Sequence, residues 1–154
     1  LLRGGGQEQG RRSGTENLIG ITGFGGAAED ALGDISHYEK MAEWRNEFET
    51  RMLNERGGIV VFGKSAPRLG NTSCISAGSK MAETMVMAFD IAGIAISAGA
   101  ACSSGKVQSS HVLEAMGAGD EAAHAIRVSG GWATKQADFE TVAEVFVRLY
   151  KQIS

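Results

Sequence analysis

Cys102 sits in the run ISAGAACSSGKV, residues 96–107, among alanines, serines and glycines with nothing bulky to bury it. A thiolate is a strong nucleophile, and a small-residue segment suits one that must travel between two reaction partners. The same composition fits an incidental surface cysteine, and the local sequence leaves both readings open. The other cysteine, Cys74, alternates with Ile75 in NTSCISAG, residues 71–78, as a buried structural thiol would. Two cysteines make no disulfide framework, and no Cys/His cluster has zinc-like spacing. No metal site is therefore expected from these residues.

Arg127 lies in AIRVS, residues 125–129, between apolar Ile126 and Val128, so in a strand it projects to the face opposite its neighbours. Its fork of donors suits a carboxylate held by two parallel hydrogen bonds, and an outward-facing surface arginine is the alternative. GGGQEQGRRSGTEN, residues 4–17, joins glycines and two adjacent arginines to Thr15 at an expected helix start. Free backbone N–H groups, a hydroxyl and positive charge can hold an anion or phosphate there, although glycine-rich turns are common. The order of a P-loop is missing. His111 opens a short helix and reads as a capping or packing residue.

The elements that must carry these residues follow from periodicity. The spacing predicts a loop over 1–13 and a helix from Gly14, with Thr15 as N-cap and a kink near Gly23–Gly26. A longer helix is expected from Ile35 to Asn54, with Met41, Trp44, Arg45, Phe48 and Met52 on one face. The charged run over 37–51 reads as its solvated side. Strands are expected at 59–63, 71–78, 93–97 and 125–129, with helices over 79–91, 109–117 and 134–153. Helices interspersed with strands give an α+β (α/β layered) architecture.

At 154 residues, 43% apolar and 21% charged, the chain can bury a core. Its net charge of −3 offers no broad basic surface, so a nucleic-acid partner is not expected. Glycines and charges interrupt every apolar run, so no membrane span is expected either. Free thiols and the absence of a secretory signal point to a cytoplasmic protein.

GGGQEQGRRSGTEN, AGIAISAGAACSSGKVQSSHVLEAMG (92–117) and AIRVSGGWAT (125–134) together resemble the cysteine desulfurases of the NifS/IscS type. These belong to the class V aminotransferase group of pyridoxal-phosphate enzymes. The resemblance runs from Gly4 to Thr134 and implies the C-terminal portion of a fold type I enzyme. It implies that residues 1–33 come from the large cofactor-binding domain, 34–55 form a linking helix and 56–154 form the small domain. Cys102 matches the cysteine that takes sulfur from pyridoxal-phosphate-bound L-cysteine as a persulfide. Arg127 matches the arginine that grips the substrate carboxylate, and Thr15 the threonine that reaches the cofactor phosphate of the neighbouring subunit. The implied whole is a homodimeric sulfurtransferase. It releases L-alanine and feeds a sulfur acceptor or iron–sulfur scaffold protein, with Cys102 also a candidate iron–sulfur ligand.

Selenocysteine lyases and other class V aminotransferases are the alternatives within enzymes. A non-catalytic domain for dimerisation or acceptor binding is the alternative outside them. None of the six lysines, Lys40, Lys64, Lys80, Lys106, Lys135 and Lys151, stands in the Ser-x-His-Lys context in which the family bonds its cofactor. This chain alone is therefore expected to be inactive. Gly130 stands where the family usually has leucine, and Ala100 where it usually has serine.

Overall fold

A computed structural model describes residues 3–55, 58–76, 78–98 and 110–152. The chain divides into two compact units, one up to Ser36 and one from His37 onward.

The first unit holds a 3₁₀ turn over Gln7–Gly10 and helix α1 over Leu18–Gly33. Thr15 is not its cap. Asn17 takes that place, its Oδ1 accepting from the Gly20 N–H at 3.0 Å, because it stands immediately before the first helical residue and is the stronger capping type. α1 also runs unbroken through Gly23, Gly25 and Gly26, where a kink is expected. Glycine lowers helix propensity without removing a backbone donor, and the following Ala-Ala-Glu-Asp-Ala-Leu stretch is a good helix former. No α1 side chain is buried, and Leu18, Ile19, Phe24 and Leu32 are all strongly exposed.

α2 (Ile35–Glu55) belongs to the second unit from His37 onward and buries Met41, Phe48 and Met52 along one stripe. Arg45, expected on this apolar face, is buried there, and the expectation of a solvated charged run fails at Glu49, which falls on the same stripe and is buried too. The Glu49 carboxylate accepts from Arg68 Nη1 at 2.7 Å and Nη2 at 2.9 Å, and from Ser73 Oγ at 2.7 Å. Arg45 Nη1 donates to the carbonyls of Leu69 and Thr72 at 3.1 and 3.4 Å. A buried carboxylate is tolerated where bidentate and hydroxyl donors replace its water.

The sheet has three antiparallel strands, β1 (Thr72–Ser76), β2 (Ser97–Ala98) and β3 (Ala125–Ser129), in the order β1-β3-β2. Two expected strands shrink. Residues 59–63 contribute only a bridge between Val61 and Ile75, because a turn begins at Phe62. Residues 93–96 leave the end of α3 (Ala82–Ile91) with Ile94 N–H on the Phe89 carbonyl at 2.9 Å, so pairing starts only at Ser97. The short helix α4 (His111–Ala115) is capped by Ser110 Oγ, which accepts from Leu113 N–H at 3.5 Å. It stops at Gly117, whose φ of +76° suits glycine. A 3₁₀ turn over Gly119–His124, not foreseen from the pattern, leads into β3. α5 (Gln136–Gln152) closes the unit with Phe139, Val142, Val145 and Phe146 inward, as its periodicity predicts.

Alternation along the strands separates two faces. Ile75, Ile126 and Val128 join Met41, Phe48, Met85, Phe89 and Phe146 in the main core. The opposite face is covered in part by a smaller cluster of Leu113, Ala122 and Ala125, with Phe62 and Cys74 at its edge. Gly130, where the resemblance leads one to expect leucine, has a local explanation. A Cβ there would lie 2.7 Å from Met41 Sδ, so Met41 already fills the space a larger residue would need.

Candidate active site around Arg127

β3 positions Arg127. Its burial alternates as the sequence predicts, with Ile126 and Val128 inward and Arg127 exposed. Among the described residues no carboxylate pairs with it and none of its guanidinium N–H groups finds an acceptor. The ladder sets Cys74 of β1 opposite it on one side and Ser97 of β2 opposite it on the other.

A cavity of about 340 Å³ opens beside this row, lined by Arg127, Cys74, Phe62, Ser110, Leu113 and Met116 among others. One wall is apolar and comes from α4 and Phe62. The guanidinium is the charged group in it, so it suits a small molecule with an anionic end. A shallower depression of about 660 Å³ along α2 is lined by Asn46, Glu47, Thr50, Arg51, Asn54 and Glu55, and holds no nucleophile.

Cys74 is half-buried rather than fully buried as expected from its alternation. Burial pushes its thiol up, against the opposing pull of the Arg127 charge. It is therefore protonated at neutral pH and poorly suited to attack sulfur. His111 is exposed at the first turn of α4; the cap is Ser110.

Thr15 belongs to the first unit, in the exposed link between the 3₁₀ turn and α1. Arg12 organises that link. Its Nη1 donates to the Gly14 carbonyl at 2.8 Å and the Thr15 carbonyl at 3.3 Å, while Nη2 meets Glu8 at 3.2 Å. With its carbonyls occupied, the link leaves Thr15 exposed, but Arg12 is spent on its own loop. Cys102 lies outside the described residues. The structure thus joins Arg127 to Cys74, Ser97 and Ser110, and describes Thr15 in another unit. Sequence reasoning missed Cys74 and Ser97 as neighbours of Arg127, because strand parity gives a face and not a register.

Residues 5–142 match the aminotransferase class-V family. The chain belongs to that family. It is 41% identical to a cysteine desulfurase of Cereibacter sphaeroides over 99% of this chain and 39% of that protein. A cysteine desulfurase IscS of Dictyoglomus turgidum is 32% identical, again over 99% of this chain and 39% of its own length. Among solved structures, a NifS-like protein from Rickettsia africae is 33% identical with a TM-score of 0.82, over 98% of this chain and 39% of that one. A second NifS-like protein is 28% identical with a TM-score of 0.79. The class V fold expected from the three motifs is the fold found. The chain spans about two-fifths of the length of the relatives it matches. Among the described residues no helix is long and apolar enough to cross a membrane, and no group of His, Cys, Asp and Glu is arranged to hold a metal ion.

Proposed function

We propose that this chain supplies the sulfur-accepting cysteine and the carboxylate-binding arginine of a cysteine desulfurase. The observation that carries the reading is the placement of Arg127. Among the described residues it is unpaired on an open sheet face, and its register partner Ser97 stands five residues before Cys102. Four residues of extended chain beyond Ala98 reach at most about 14 Å. A tether of that length lets a thiol reach a cysteine anchored by its carboxylate at Arg127.

Arg127 holds the substrate carboxylate by its two parallel N–H groups. The Cys102 thiolate then attacks the substrate sulfur. The new S–S bond forms as the substrate C–S bond breaks, and the carbon left behind takes a proton to become L-alanine. Pyridoxal phosphate, the cofactor the family implies, supplies the electron sink for the carbon centre. The residues present fit it at its phosphate end only: Thr15 is exposed and carries a hydroxyl that suits a phosphate oxygen, and no lysine stands in the family's cofactor-bonding context. In this reading residues 1–33 belong to the cofactor-binding domain, 34–55 to the linking helix and 56–154 to the small domain. The whole is a cytoplasmic homodimer that passes its persulfide sulfur to an acceptor or iron–sulfur scaffold protein.

The test grafts this chain onto the Cereibacter sphaeroides relative in place of its matching segment. Sulfide and alanine are then measured from L-cysteine with pyridoxal phosphate. Turnover is expected, with Cys102→Ala abolishing it. Undiminished turnover in Cys102→Ala would sink the reading in favour of a class V enzyme that needs no thiol.

A further inference from the structure

Arg127 does not stand alone on its face of the sheet. Residues directly opposite in an antiparallel ladder project to the same side, with Cα atoms about 5 Å apart. Cys74 and Ser97 are both such partners of Arg127, so the three side chains form one row across all three strands. The other face fixes this parity independently. Ile75 and Ile126 are in the main core and Ile96 and Ala98 pack against it, so Ser97 between the last two turns away. One pleat along, Thr72 Oγ1 and Ser129 Oγ meet at 3.3 Å. The nearest ladder positions to Arg127 on this face are thus the Cys74 thiol, the hydroxyls of Ser97, Thr72, Ser76 and Ser129, and Ala125, and none is an acid.

We propose that this row is a carboxylate cradle in which Ser97 is a second positioning residue. Its hydroxyl donates to the same carboxylate that takes the Arg127 fork, and Cys74 flanks the fork without competing for it. The inference rests on the reading of Arg127 as the substrate's carboxylate anchor and extends it to two residues to which that reading gives no part in holding the carboxylate. An aspartate or glutamate at position 74 or 97 would pair across the ladder with Arg127 and withdraw it from any ligand. A hydroxyl beside the guanidinium instead adds a donor that a carboxylate's remaining lone pairs can use.

Cys74 itself can report on the row. With Cys102→Ser it is the chain's remaining thiol. Its alkylation at alkaline pH is followed with iodoacetate and, separately, with iodoacetamide. In each case the thiolate sulfur forms a bond to the reagent carbon as the C–I bond breaks and iodide leaves with its electron pair. The two reagents match in size and differ in the carboxylate, so the ratio of their rate constants cancels the thiol's own reactivity and exposure. Arg127→Gln is expected to lower the iodoacetate-to-iodoacetamide ratio roughly two- to fivefold, the range of an exposed charge pair. Ser97→Ala is expected to lower it about twofold, and Ser97→Thr to restore it. Far-ultraviolet circular dichroism confirms that each variant is folded.

A ratio unmoved by Arg127→Gln would overturn the cradle. A ratio unmoved by Ser97→Ala, or lowered as much by Ser97→Thr, would overturn the role of Ser97. The measurement uses neither Cys102 nor cofactor, so its failure is distinguishable from failure of the desulfurase reading.

Discussion

At Arg127 a single strand position combines exposure and a fixed direction with no partner among the described residues. A guanidinium that the protein leaves unpaired keeps both N–H groups of its fork for a ligand. In the grafted desulfurase, Arg127→Gln is expected to raise KM for L-cysteine at least about tenfold, the loss of charge-assisted hydrogen bonds. Arg127→Lys should recover only part of that, because a point charge cannot bind a carboxylate in bidentate fashion. Equal KM values for the unsubstituted graft and its Arg127→Lys and Arg127→Gln variants in steady-state assays would contradict the assignment. Arg127 was legible from the sequence because strand alternation alone gives its direction. Cys102 was not legible from its own neighbours, since small residues suit a surface loop equally well. The chemistry proposed for it rests on the order of three motifs.

At the scale of elements, α2 shows where pattern reading succeeds and where it stops. The apolar stripe of Met41, Phe48 and Met52 follows from helical spacing, and Arg45 and Glu49 fall on it at the same spacing. What periodicity cannot supply is Arg68, contributed from the segment before β1, which makes burial of Glu49 tolerable. Burial alone pushes the Glu49 carboxyl up, but hydrogen bonds from Arg68 and Ser73 and the charges of Arg68 and Arg45 outweigh it, leaving it below the ordinary value. A carboxyl depressed in the folded state stabilises the fold above its unfolded pKa of about 4.3. That stability is lost as pH falls through the lower folded value. Urea midpoints measured down the acid range should therefore fall, and Glu49→Gln should flatten this limb; parallel limbs in the two proteins would contradict the pairing. At neutral pH, Arg68→Met should destabilise by about 3 kcal/mol, the cost of leaving a buried carboxylate short of its partner.

The same helix bears on Gly130. Gly130→Leu should destabilise by about 1–3 kcal/mol through overpacking against Met41. Combining it with Met41→Ala should recover part of that loss in thermal unfolding. No recovery would mean that Met41 is not the residue that makes room for glycine.

At the scale of the whole molecule, the two units differ in what they bury. The second has a shared core from α2, α3, α5 and the sheet, whereas α1 buries no side chain and exposes Leu18, Ile19, Phe24 and Leu32. Exposed apolar surface of this kind drives association. The chain should sediment as larger species as its concentration rises, and Ile19→Ser with Phe24→Ser should shift it towards monomer; unchanged sedimentation would contradict this.

Everything proposed for this site turns on Cys102 receiving sulfur from a substrate anchored at Arg127. Peptide mass spectrometry of the grafted enzyme, after L-cysteine and pyridoxal phosphate, tests it most directly. One added sulfur atom is expected on the Cys102 peptide and none on the Cys74 peptide, with loss of the label in Arg127→Gln at low L-cysteine. Sulfide release without any added sulfur on Cys102, or sulfur carried by Cys74 instead, would contradict it.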